Sequence, residues 1–233
     1  MSALETIHAI LFDAGGTLIH VDGERVCRAA GIAYSDESFA RAESAAVAEV
    51  RSWILEHPES TDQERLPLFL DTILRHLGIR TPVERRSAAE RVAREHRRSN
   101  LWSRPATGAT ETLAELRRRG YRLAVVSNAD GRVRALLETA QVAPFFEWII
   151  DSTEVGVEKP DPRIFLAAAG QLALKPENCA YVGDIYEIDI IGARLAGLRP
   201  ILIGTAPASE PVERIARLED LLALFPGTEN GES

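Results

Sequence analysis

Lysine is almost missing from this chain: of its 27 basic residues only Lys159 and Lys175 are lysines, and the rest are arginine. That bias reflects base composition in the genome and excludes nothing by itself. It does give weight to a lysine that falls among other chemistry-bearing residues. Cysteine is nearly absent too. Cys27 and Cys179 stand far apart in the sequence and form no metal-type or redox-type pair. Cys179 lies in an apolar run and reads as core, which fits a reducing compartment. No apolar stretch approaches the roughly 18 residues needed to cross a bilayer. The opening "MSALETIHAILFD" lacks a basic n-region and a cleavage site, so no secretory leader is expected there. A cytoplasmic protein is the expectation. Positive charge is in deficit, with a formal net charge of -8. Nucleic acid and membrane are therefore not expected partners, and the arginine-rich stretches at 91–98 and 117–119 read as solvated helix faces.

What is present is alternation. A length of 233 residues suits one large domain, or a core domain with a smaller insertion. "HAILFD" (8–13) is a short apolar run ending in a turn, as a buried strand should. From about Gly23 to Asn100 the sequence is rich in Ala, Glu and Arg, with Phe39, Ala42, Ala46 and Val50 on one helical stripe. Leu66, Leu70, Ile73, Leu74 and Leu77 form another. Four or five amphipathic helices are predicted there, punctuated by the loops "HPESTD" and "GIRTPVE". Beyond residue 100, "RLAVVS", "EWIID", "CAYVGD" and "RPILIG" read as buried strands separated by helical stretches. Repeated βα units of this kind predict an α/β fold with a doubly wound parallel sheet. The expected division is a core of 1–20 and 101–226, a helical insertion at 21–100, and a disordered tail at 227–233, where "GTENGES" offers no apolar anchor.

In open α/β sheets ligands bind beyond the carboxyl ends of the strands. Asp13 ends the first strand, Ser127 and Asn128 end the second, Asp184 follows "AYVG", and Lys159 lies in the loop after the third. Each alone is weak, since an Asp or Ser at a strand end is more often a helix N-cap than a catalyst. Strand ends of one sheet lie side by side, however, so these residues are expected to converge.

At these residues the chain resembles the haloacid dehalogenase superfamily. The four motifs of that family read here as "DAGGTL", "VVSNAD", "EKPDPRIF" and "VGDIYEIDIIGARLAG". The nearest resemblance is to the branch described as haloacid dehalogenase-like hydrolase domain-containing. The resemblance implies a Rossmann-like core with an inserted type-one helical cap. It also implies hydrolysis of a small phosphorylated molecule through an aspartyl-phosphate, by a monomer or weak homodimer. Asp13 would be the nucleophile and Lys159 the cation beside it, a role for which a compact ammonium suits better than arginine's planar fork. Mg²⁺ would be held by Asp13, the Gly15 carbonyl and Asp184. Asp189 would act through water or by orienting Lys159. Ser127 and the backbone N–H groups of Gly16 and Asn128 would bind phosphate oxygens, with Thr17 bracing the loop.

The departure is Gly15. Phosphatases of the superfamily usually carry a second Asp two residues beyond the nucleophile, and a glycine can neither protonate a leaving group nor activate water. Slow or restricted turnover is expected. Two alternatives stay open: a 2-haloacid dehalogenase, disfavoured by the acidic pair Asp184/Asp189, and a non-catalytic binding relic. His20 and Asp22 at the hinge, and Arg25 and Arg28 just beyond, are weaker candidates for proton transfer and anion contact.

Overall fold

The computed structural model describes residues 6–227. Nearly all of the segment read as a tail, 228–233, lies outside them. The described residues form two compact units, one from 6–20 together with 104–227, the other from Val21–Ser103.

The chain enters through β1 (Ala9–Phe12) and β2 (Ile19–Val21). Four helices follow: α1 (Gly23–Ala30), α2 (Asp36–Glu56), α3 (Asp62–His76) and α4 (Pro82–Arg98). Their starts are written in the sequence. Asp22 accepts from Arg25 N at 3.0 Å, Ser35 from Ser38 N at 3.3 Å, and Thr81 from Glu84 N at 3.3 Å, with Pro82 in the first turn of α4. Their apolar stripes close on one another around Val26, Phe39, Ala42, Ala46, Leu70, Ile73, Leu74 and Val92. β3 (Trp102–Pro105) then pairs with β2 as a sheet of two strands.

The remaining elements alternate. They are α5 (Ala109–Arg118), β4 (Arg122–Ser127), α6 (Val133–Thr139), β5 (Trp148–Asp151), α7 (Ser152–Val155) and α8 (Pro162–Gln171). After them come β6 (Cys179–Gly183), a π turn at Tyr186–Ile190, α9 (Ile191–Leu195), β7 (Arg199–Ile203), β8 (Glu213–Ile215) and α10 (Leu221–Leu224). Six strands form one parallel sheet in the order β5-β4-β1-β6-β7-β8. Ala9, Leu11, Ala124, Val126, Cys179 and Tyr181 face α8 and the stretch Ala193–Leu198. The alternate residues Ile10, Phe12, Leu123, Val125, Ala180 and Val182 are equally buried, so both faces are covered, as a doubly wound sheet requires. No helix among the described residues is long and apolar enough to cross a membrane.

Strand order reverses between β1 and β6, which is where such sheets open a crevice. Register then fixes what lies there. Phe12 pairs with Val182, and Asp13 N donates to Val182 O at 2.8 Å, so the residues that follow the two strands emerge together. The sequence reading misses β8. Three residues, "ERI", carry no apolar alternation, and their extended form comes from pairing with β7 (Ile201 with Glu213, Ile203 with Ile215).

Candidate active site

Asp13 leaves β1 into a turn that closes on itself. Leu18 N and Ile19 N both donate to Ala14 O at 2.9 Å, and Gly16 N donates to Ile19 O at 2.8 Å. Gly16 has φ +83°, and a Cβ there would stand 2.4 Å from Asp184 Oδ2, so only glycine fits. The expectation that the Gly16 N–H binds phosphate is corrected by this turn, because Ile19 O already takes that donor. Thr17 is fully buried and its hydroxyl has no hydrogen-bond partner, so it packs within the loop and does not brace it through a hydroxyl bond.

Lys159 reaches the same point from the loop after α7. The residue is 3 % exposed, and its ammonium donates to Asp13 Oδ1 at 2.5 Å, Asp189 Oδ1 at 2.8 Å and the Tyr181 hydroxyl at 2.9 Å. Burial pulls the lysine pKa down, but Asp13 and Asp189 outweigh it and hold the group well above its ordinary value. Asn128 sets the backbone of this loop: its carbonyl accepts from Lys159 N at 2.7 Å and its amide donates to Lys159 O at 3.0 Å. Asp189 arrives on the π turn, where Asp189 N donates to Ile185 O at 2.7 Å. Its second oxygen, Oδ2, accepts from Ile185 N at 2.9 Å, so both oxygens of Asp189 are engaged by protein donors.

Asp184 differs from Asp189. It lies against Gly16, and its Oδ1 is buried with no hydrogen-bond partner. Oxygens of Asp13, Asp184 and Asp189 lie within 4.8 Å of one another. Burial pushes the Asp13 carboxyl up to about 7 against the pull of Lys159, with Asp189 adding to the rise. Burial, then Asp13 and Asp189, lifts Asp184 well above the usual carboxylate range. Two buried carboxylates and the half-buried Asp184 thus share one ammonium, a surplus of negative charge in a low-dielectric site. Hard oxygen donors, an orphaned carboxylate oxygen and this charge surplus fit a small divalent cation.

Ser127 ends β4 and is 5 % exposed. The loop after it is tied down by the end of β5. Asp151 accepts from Gly131 N at 2.9 Å and Thr153 N at 3.0 Å, while Ala129 N donates to the Ser152 hydroxyl at 3.2 Å. Tyr181 and Asp151 are the two site residues that sequence reading misses. Asp151 stands at a strand end and could have been found by the same rule as Asp13. Tyr181 sits inside an apolar run and gives no such signal. The weaker candidates are engaged elsewhere. Asp22 caps α1, and Arg25 holds Glu95 at 2.8 Å and the carbonyls of Ser99 and Asn100. Arg28 is exposed and pairs with Glu24. Burial, then Arg104, lowers the pKa of His20.

A profile of haloacid dehalogenase-like hydrolases matches residues 7–197, the stretch that carries every residue of this cluster. The chain belongs to that family. It is 35 % identical over 149 residues to human haloacid dehalogenase-like hydrolase domain-containing protein 3, covering 63 % of this chain and 59 % of that one. It is 38 % identical over 147 residues to a phosphoserine phosphatase of Thermus thermophilus, covering 62 % and 57 %. The match thus spans less than two thirds of either relative. The crystal structure of a HAD phosphatase from Thermococcus onnurineus shares the fold, with a TM-score of 0.60 at 22 % identity over 95 % of this chain and 99 % of that one.

Proposed function

We propose that the chain is a Mg²⁺-dependent hydrolase of small phosphate esters that works through an aspartyl-phosphate on Asp13, with turnover restricted by Gly15. The observation that carries this reading is the pairing of Asp13 with a buried ammonium at 2.5 Å, beside a carboxylate oxygen of Asp184 that nothing in the protein satisfies. Asp13, Asp184 and the Gly15 carbonyl would hold the ion, and Asp189, with both oxygens engaged, would orient Lys159. Bound Mg²⁺ supplies positive charge between a carboxylate and an anionic phosphate that otherwise repel.

Asp13 attacks phosphorus, forming an O–P bond as the ester P–O bond breaks, and the alkoxide or phenoxide departs. Lys159 holds the Asp13 carboxylate in place and offsets charge on the phosphoryl oxygens, while Ser127 and the Asn128 N–H donate to them. Water then attacks the phosphorus, the Asp13–phosphorus bond breaks, and phosphate leaves. With Gly15 in place of an acid, the leaving group takes its proton from solvent. General acid–base catalysis contributes about 10²–10⁴-fold, so aryl and acyl phosphates suffer least and sugar phosphates most. The similarity to a phosphoserine phosphatase supports phosphate-ester chemistry and leaves the substrate open.

Hydrolysis of p-nitrophenyl phosphate is expected to require Mg²⁺ and to vanish in Asp13→Asn. Millimolar Mg²⁺ is expected to raise the thermal midpoint, since an ion bound only by the folded state stabilises it. Halide release from 2-chloropropionate in excess EDTA would overturn the reading in favour of dehalogenation.

A further inference from the structure

A lysine ammonium has three protons, and here each has its own acceptor: Asp13 Oδ1, Asp189 Oδ1 and the Tyr181 hydroxyl. The two carboxylates belong to motifs. The third acceptor is a neutral phenol in the middle of a buried strand, where phenylalanine would fill the space with no polar atom to satisfy. The phenol is held from three sides. Its ring meets Phe165 edge-on at 4.8 Å, and its hydroxyl lies 3.1 Å from Val126 O, the residue before Ser127. Asp189 Oδ1 stands 3.2 Å from it. The phenol has one proton to give. Donating it to Val126 O leaves the lone pairs for the Lys159 ammonium.

The consequence is orientational. A lysine stem is flexible and its ammonium turns freely among acceptors. Held by two carboxylates through single oxygens, it would keep one proton uncommitted and could move away from Asp13. A neutral acceptor takes that proton without adding a third negative charge to the pull on the ammonium.

We infer that Tyr181 is a positioning residue whose hydroxyl fixes the Lys159 ammonium against Asp13 in the orientation that phosphoryl transfer uses. The catalytic part rests on the hydrolase reading above; the hold on Lys159 does not. The scarcity of lysine supplies the test. Full-length protein labelled with ¹⁵N at lysine Nζ carries only Lys159 and Lys175, and Lys175 is exposed. In Tyr181→Phe the Lys159 ammonium signal should shift and exchange faster with solvent, while the Lys175 signal stays. With p-nitrophenyl phosphate and Mg²⁺, kcat should fall about tenfold with KM nearly unchanged, the scale of one hydrogen bond to a charged group.

An unmoved Lys159 signal in the folded variant overturns the proposal, even if activity falls. Wild-type kcat in Tyr181→Phe overturns its catalytic part. If the wild-type protein hydrolyses no ester and the Lys159 signal moves, the hydrolase reading fails while the hold on Lys159 is upheld. Should Tyr181→Phe not fold, 3-fluorotyrosine at all four tyrosines keeps the hydroxyl but weakens it as an acceptor. The Lys159 signal should still move and that of Lys175 should not; no movement overturns the proposal.

Discussion

Gly15 and Gly16 are neighbours under different constraints. At Gly16 the positive φ and the contact with Asp184 leave room for no side chain. Gly15 bridges Ile19 and is not among the positive-φ glycines of the described residues, so a larger residue meets no left-handed strain there. Gly15→Asp is therefore expected to fold and bind Mg²⁺. The restored carboxyl should raise kcat/KM for alkyl phosphates more than for aryl phosphates, because only the poorer leaving group depends strongly on protonation. Kinetics on one ester of each kind check this. A folded, Mg²⁺-binding variant with no gain on any ester would favour a non-catalytic relic. At this scale the chemistry of Asp13, Lys159 and Asp184 is legible in the sequence, because each follows a strand that has an apolar run of its own. Asn128 is legible as a position but not as a clamp. What its amide touches depends on a loop 31 residues away.

Between β6 and α9 the chain makes a π turn, and that turn aims Asp189. Its carboxylate tucks back over Gly183, where a Cβ would stand 2.4 Å from Asp189 Cγ. Gly183→Ala must push Asp189 off Ile185 N and Lys159. The expected cost is about 1–3 kcal/mol, as for overpacking a filled core. Activity should be lost with it, and calorimetry and ester hydrolysis report the two effects. Gly170 on α8 is the counterpart, with nothing within 4 Å of the point where a Cβ would stand. Gly170→Ala should leave activity unchanged and stabilise by roughly 0.5–1 kcal/mol, since alanine loses less entropy in a helix. The five central strands are legible as elements because burial on both faces writes continuous apolar runs. β8 and the π turn are not: one exists only through its neighbour β7, the other through local backbone bonds to Ile185 O and Tyr186 O.

For the molecule as a whole, the surplus of buried negative charge is a liability that pH exposes. Asp13 has an ordinary value of 3.8 and a folded value raised to about 7, so the folded state binds this proton more tightly than the unfolded chain. The stability contributed is full below about 4 and is lost as pH rises through about 7. In EDTA the thermal midpoint of the wild type, relative to Asp13→Asn, should therefore fall across that window. Mg²⁺ should flatten or reverse the trend, because binding favours the ionised carboxylates. A relative midpoint in EDTA that is flat or rises over the window would contradict this account.

By itself the sequence determined the α/β class, five of the six strands of the parallel sheet, the family and the carboxylates and lysine of the cluster. Those follow from local causes: continuous apolar runs, capping residues and polar residues at strand ends. Only the tertiary structure decided how the cluster is wired. Lys159 meets Asp13 across 146 residues and Tyr181 across 22, and the Gly16 N–H is taken up by Ile19 O. Such pairings depend on strand register and on the two faces of a pleated sheet. An apolar run that is buried on both sides does not reveal which of its residues touches a charge.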